Sequence, residues 1–206
     1  MDSSPDLEPR KSPRQRRSQE TVKAILQATA QVLAEHGYAK TSTNKVARVA
    51  GVSIGSLYQY FPNKEALIIA LFDQHTEEVL TSLGREILEM AREPLPEAVT
   101  RLVRFYLRLH TRNPALQLAM TQQAIHLGPE RVAVVQDRAV SAVTAFLAMH
   151  RDAIAPTNLA MCAFVLVATT QGVIHAAILE RPEALKDPAL ETELLDLLLR
   201  YLQPDR

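Results

Sequence analysis

The spacing Ala47, Gly51, Leu57 constrains the fold of residues 43–62, TNKVARVAGVSIGSLYQYFP, more tightly than any other feature of the chain. Two short helices can cross closely only where a small side chain leaves room for the facing backbone, and Ala47 supplies that position. A turn as short as the one that follows needs a residue at positive φ, which glycine adopts without steric cost. Val46, Ala50, Val52 and Leu57 then form the apolar set that closes a small core between the helices. Thr43 is expected to cap the first helix and Ser53 the second. An ordinary pair of core helices would use the same alanine and glycine. The cap at Ser53 and the polar, aromatic face that follows it, Ile54, Gly55, Ser56, Tyr58 and Gln59, favour a helix-turn-helix whose second helix enters a DNA major groove.

Charge supports this reading once the chain is divided. The formal net charge of the whole is zero, but residues 1–64 hold 10 Lys+Arg against 5 Asp+Glu (10 − 5 = +5), and residues 65–206 hold 13 against 18 (13 − 18 = −5). The positive charge travels with the helix-turn-helix, as phosphate neutralisation requires, and the acidic remainder is repelled from a duplex.

The stretch AGVSIGSLYQYFPNKEAL, within a matching region from about Gln19 to Phe72, resembles the signature of the TetR family of bacterial transcription regulators. That resemblance implies an all-α homodimer: an N-terminal three-helix DNA-binding domain and a divergent C-terminal helical bundle that dimerises and often binds a small effector. It further implies that the fourth helix carries movement of the C-terminal domain to the recognition helix, that the dimer interface lies in the last helices, and that repression is the commoner mode of action. Partners on this reading are double-stranded operator DNA, a second copy of the chain and a small-molecule effector.

Along the chain, residues 1–18 are too rich in Ser, Pro and charge to fold and are expected to form a disordered arm, with Arg10, Lys11, Arg14, Arg16 and Arg17 as a basic cluster. The DNA-binding domain is assigned to 19–65 and the C-terminal domain to 66–206. The first helix is expected over 19–36, stopped by Gly37, and a fourth starts at Pro62-Asn63-Lys64-Glu65. Further helices are expected at about 74–91, 96–112, 114–127, 129–153, 157–180 and 189–203. Leu159–Leu179 and Leu190–Leu202 are apolar on more than one face, so both faces require cover.

The N-terminus lacks the apolar core of a secretory signal, the single cysteine, Cys162, has no partner for an intramolecular disulfide, and a cytoplasmic location follows. The longest wholly apolar run, Leu159–Ala168, is about half of the roughly 20 residues a membrane span needs and is interrupted by Thr169, Thr170 and Gln171. It reads as a buried helix.

DNA contacts divide into those that position and those that specify. Thr43, Tyr58, Tyr60 and Lys64 are candidates for phosphate, whereas Asn44, Ser53, Gly55, Ser56 and Gln59 lie nearer the bases, where an amide can pair with adenine. Candidate effector-pocket residues are Phe105, Tyr106, His110, Met120, Gln123, Phe146, Met149, Phe164 and His175, which lie on mid-bundle helices. No catalytic residue, cofactor or metal site is assigned. There is no glycine-rich phosphate loop or Gly-x-Ser-x-Gly elbow, and the pair His75 and Glu78 is better explained as a solvated helix face. Two other functions fit a helical chain: an adaptor that has lost DNA binding, and an enzyme that turns over a small molecule.

Overall fold

The computed structural model of the chain describes residues 16–124 and 128–203, in which helices dominate and no strand occurs. The described residues within Met1–Glu77 and Ala119–Leu127 form one compact unit. Those within Glu78–Leu118 and Gly128–Arg206 form a second.

The first unit is built on α1 (Arg16–Lys40), α2 (Thr43–Ala50), α3 (Ile54–Tyr60) and the start of α4 (Lys64–Glu89). Helix α1 begins three residues before Gln19, and the basic residues Arg10, Lys11 and Arg14 lie outside the described residues. Ile25, Leu26, Ala28, Val32 and Leu33 recur at helical spacing and are buried, as are Val46 and Ala47 of α2, Leu57 of α3, and Ala66, Leu67, Ile68 and Leu71 of α4, and α1 packs on α2. Thr29 sits within this face, its hydroxyl donating to the Ile25 carbonyl at 2.8 Å. At Gly37 the backbone leaves helical geometry (φ 70°, ψ 171°), as the glycine stop predicts, and a single further turn follows to Lys40.

Where two helices were expected, one from Pro62 and another over 74–91, the chain forms the single 26-residue α4. Asp73 and Gln74 are polar but do not break a helix, and no proline falls between Lys64 and Glu89. The Asn63 side chain caps α4, accepting from the Ala66 amide at 2.8 Å.

The second unit contains α5 (Leu95–Thr111), the start of α6 (Pro114–Ala124), α7 (Pro129–Met149), α8 (Leu159–Glu180) and α9 (Pro188–Leu202), with 3-10 turns at Arg151–Ala153 and Pro182–Lys186. Helix α7 packs chiefly on α8, and α5 on α9. Their shared core includes Met90, Val99, Val103, Phe146, Leu147, Ala163, Ile174, Leu194 and Leu202. The expected helix over 129–153 ends early because buried His150 turns inward: its Nδ1 lies 3.1 Å from the Phe146 carbonyl and its Nε2 3.0 Å from that of Glu93. Arg101 of α5 clamps the end of α4, with Nε 2.7 Å from Glu86, Nη1 2.8 Å from Glu93 and Nη2 paired with Glu89.

Helix α8 continues through Thr169, Thr170 and Gln171 to 22 residues, and with a mean hydropathy of 1.8 it is long and apolar enough to cross a bilayer. Within the bundle only one of its faces is covered: Cys162, Ala163, Leu166, Val167, Ile174, Ala177 and Ile178 are buried. On the other face Met161, Phe164 and Leu179 remain 55%, 49% and 50% exposed, and on α9 Leu197 and Tyr201 are exposed as well.

Candidate functional site

Three local devices set the geometry of α2 and α3. The residue before α2 that caps it is Ser42 rather than Thr43: Ser42 has extended backbone (φ −144°, ψ 152°), and its hydroxyl accepts from the Lys45 amide at 3.4 Å. Thr43 is the first helical residue, which frees its hydroxyl to lie 3.1 Å from that of Tyr58 and tie α2 to α3. Between the helices Gly51 takes the left-handed conformation (φ 67°, ψ 28°). The amides of Gly51 and Val52 then reach back to the carbonyls of Arg48 (3.3 Å) and Ala47 (3.0 Å), satisfying the last carbonyls of α2. Ser53 caps α3, accepting from the Ser56 amide at 3.0 Å, and the two serine hydroxyls lie 2.8 Å apart.

Val46, Ala47 and Leu57 face inward, so the opposite side of the pair faces solvent. Asn44, Ser53, Ile54, Gly55, Tyr58 and Gln59 are exposed there, while Thr43, Ser56, Tyr60 and Lys64 are half-buried. Ser53 and Ser56 use part of their hydrogen-bonding capacity on each other. Gln59 and Asn44 are therefore the amides on this face suited to pairing with a base edge.

Lys64 is held by a residue that sequence reasoning missed. Its ammonium lies 3.8 Å from the centre of the Tyr38 ring and donates to the Tyr38 carbonyl at 3.4 Å. The Tyr38 hydroxyl in turn donates to Glu65 at 2.9 Å. Burial, followed by the Glu65 carboxylate, pushes the Tyr38 pKa up, so the phenol stays protonated and keeps donating. The available signal was an aromatic residue directly after a helix-stopping glycine, in Gly37-Tyr38. Lys45 and Arg48 add cationic side chains to α2, and Lys45 is anchored on the Lys40 carbonyl at 2.9 Å.

The second unit holds a partly open cavity of about 100 Å³ whose walls come from α4, α5, α7, α8 and α9. Leu102, Val103, Val143, Leu166 and Leu198 make most of it apolar, and Tyr106, Thr170 and Gln171 supply its polar groups. Of the nine residues expected around an effector, Phe105, Tyr106 and Phe146 line it. His110 and His175 extend from Tyr106 as a chain of rings, with centroids 4.5 Å and then 6.0 Å apart. Burial lowers the His175 pKa and raises that of Tyr106, where a hydrogen bond from Gln171 acts in opposition. Met149 and Phe164 lie on the exposed surface, and Met120 and Gln123 fall in the first unit. Thr170 and Gln171 were missed as lining residues because in the sequence they only interrupt an apolar run. Among the described residues no group of three metal-binding side chains occurs.

Residues 25–71 match the model of the bacterial regulatory proteins of the tetR family, and residues 94–202 match the tetracyclin repressor-like C-terminal domain. The chain belongs to the TetR family. Among curated relatives it is 32% identical over 105 residues to the fatty acid metabolism regulator protein of Bacillus subtilis, covering 50% of this chain and 54% of that one. It is 34% identical over 109 residues to the nucleoid occlusion factor SlmA of Aliivibrio fischeri, covering 52% and 55%. The matches thus span about half the length of these relatives. Among solved structures, SmeT, the repressor of the Stenotrophomonas maltophilia multidrug efflux pump SmeDEF, superposes with a TM-score of 0.71 at 21% identity, covering 90% of this chain and 93% of SmeT. SmeT has also been solved as a triclosan complex, with a TM-score of 0.65, 22% identity and coverage of 90% and 92%. At these identities the likeness is one of fold, and it extends the TetR architecture over both units.

Proposed function

We propose that this chain is a cytoplasmic, sequence-specific transcription regulator, a repressor that leaves a two-fold operator when a small molecule occupies the cavity of its second unit. The observation that carries the reading is the pair α2 and α3, which buries Val46, Ala47 and Leu57 and leaves Asn44, Gly55, Tyr58 and Gln59 exposed on one face. Thr43, Tyr58, Tyr60 and Lys64 position the protein on phosphates. Asn44, Ser53, Gly55, Ser56 and Gln59 meet the base edges. The effector site is the cavity around Phe105, Tyr106 and Phe146, with His110 and His175 behind Tyr106.

A second copy of the chain covers the apolar faces of α8 and α9, where Met161, Phe164, Leu179, Leu197 and Tyr201 are otherwise open to water. The ligand-bound SmeT structure supports an effector in a chain of this fold.

Selection of bound genomic fragments, with and without metabolite extract, tests the whole reading. Retention of a small set of two-fold sequences, lost in extract, is the expected result. Failure to retain any duplex at low salt would remove DNA as the partner and favour an adaptor. Consumption of a bound metabolite would favour an enzyme.

A further inference from the structure

Phe105 lines two spaces at once. One side faces the apolar cavity, and the other faces a surface groove between α4 and α5 bordered by Ser82, Arg85, Arg108, Thr111 and Arg112. The buried ring is therefore the partition between an apolar interior and a charged, arginine-bearing exterior.

Three of the arginines bordering that groove, unlike their neighbours on α5, have no ion-pair partner among the described residues. Arg101 is occupied by three glutamates, and Arg104 pairs with Glu191 at 2.7 Å. Glu86 and Glu89 also border the groove, and with Glu93 they share the single Arg101, so against its three arginines (3 − 2 = +1) the groove keeps only a small positive excess. No acidic group lies within ion-pair distance of Arg85, Arg108 or Arg112 among the described residues. Arg104, Arg108 and Arg112 follow one another at single-turn intervals along α5, a like-charge row that destabilises an isolated helix. The helix dipole favours cations at the end of α5, which accounts for Arg108 and Arg112 singly. It does not account for Arg85, which reaches the same groove from α4.

We propose that the cavity and the arginine groove are the two halves of one effector site, and that the effector is an amphiphilic anion. Its short apolar tail lies among Leu102, Val143 and Phe146, and its carboxylate or phosphate head lies at Arg85, Arg108 and Arg112, with Phe105 as the movable wall between them. This rests on the reading of the cavity as the effector site. At about 100 Å³ the cavity is somewhat smaller than the roughly 150 Å³ void that admits benzene. A short chain thus enters with little rearrangement, and a long one requires the Phe105 ring to turn. Guanidinium forks suit a planar or tetrahedral oxyanion, and the three arginines without an ion pair outnumber the two glutamates that border the same groove.

Calorimetric titration of the full chain with four ligands of equal tail length tests this: octanoate, octyl phosphate, 1-octanol and octyltrimethylammonium. Either anion is expected to bind at least tenfold more tightly than 1-octanol, and the cation more weakly. Preference between the two anions identifies the head as carboxylate or phosphate. The double substitution Arg108→Gln, Arg112→Gln, at two exposed positions, should bring the anions to the level of 1-octanol and leave 1-octanol unchanged. Equal binding of anions and alcohol by the unaltered chain would overturn the proposal and keep the cavity as a neutral-ligand site. Binding of none of the four would overturn the cavity reading itself. An anion preference that survives the double substitution, or inorganic phosphate binding as tightly as octyl phosphate, would also overturn it.

Discussion

Replacing Gly51 by alanine and replacing Gly84 by alanine are the same chemical change, yet they are expected to move stability in opposite directions. A Cβ built on either glycine meets no atom within 4 Å, so packing contributes nothing to the difference. What differs is the backbone. Gly51 sits at φ 67°, where a Cβ costs about 1–2 kcal/mol, of which about 0.4–1 kcal/mol is offset because alanine restricts the unfolded chain. A net loss of roughly 1 kcal/mol remains for the first unit. Gly84 lies inside α4 with no positive φ, and there alanine is better by about 0.5–1 kcal/mol. Chemical denaturation of each variant, followed by circular dichroism and by hydrogen exchange at α2 and at the end of α4, separates the two units. Because the turn at Gly51 also sets the angle between α2 and α3, Gly51→Ala should weaken DNA binding beyond its effect on stability. Gly84→Ala should not. Two shifts of the same sign would refute the argument, since it rests on φ alone.

Replacing Lys64 by alanine should weaken binding to every duplex alike and reduce the slope of log K against log salt by about 1; an unchanged slope removes Lys64 from the phosphate contacts. Gln59→Ala should instead relax preference at a single base pair, read by selection from a randomised operator. For His175 the folded pKa lies below 6.5, so the folded state binds fewer protons there than the unfolded state, and stability present above pH 6.5 is lost as pH falls through the folded value. His175→Gln should flatten that acid limb of the unfolding curve, with His110, 6.0 Å away, left in place. Gly172 is exposed on α8, and a Cβ added there meets no atom within 4 Å, so Gly172→Trp projects from an open surface and, with an unchanged circular dichroism spectrum, should shift sedimentation toward the monomer if a second copy covers that face.

Local rules made the first unit legible. The glycine turn, the cap at Ser53 and the inward set at Val46, Ala47 and Leu57 each depend on residues within a few positions of one another, and each lies where the spacing requires. Thr43 lost the cap to Ser42 because two adjacent hydroxyl residues compete for it, and only the backbone angles decide between them. Tyr38 was invisible for a different reason: its partners Lys64 and Glu65 are 26 and 27 residues away, brought together by a core that composition does not reveal. The cavity shows the same limit more strongly. Its walls come from five helices spread from Leu83 to Leu202, and Gln171, which reads as a break in an apolar helix, becomes the hydrogen-bonding partner of Tyr106.

The sparse chemistry of α3 bears on how such a regulator finds its operator. On the proposed reading each chain offers Gln59 and Asn44 as its amides for base pairs, and each well-made bidentate contact discriminates by about 1–3 kcal/mol. A specific site must exceed non-specific DNA by about 4–10 kcal/mol, which two such contacts reach only at the low end. Doubling them on a two-fold site brings the total into the required range without any new side chain. The open apolar faces of α8 and α9 are then part of DNA recognition, because whatever fixes the distance between two copies of α3 fixes the half-site spacing. Lengthening or shortening the spacer of a selected operator by half a helical turn should therefore abolish specific binding, while each isolated half-site remains bound weakly. Equal affinity at every spacing would mean that one copy of α3 suffices.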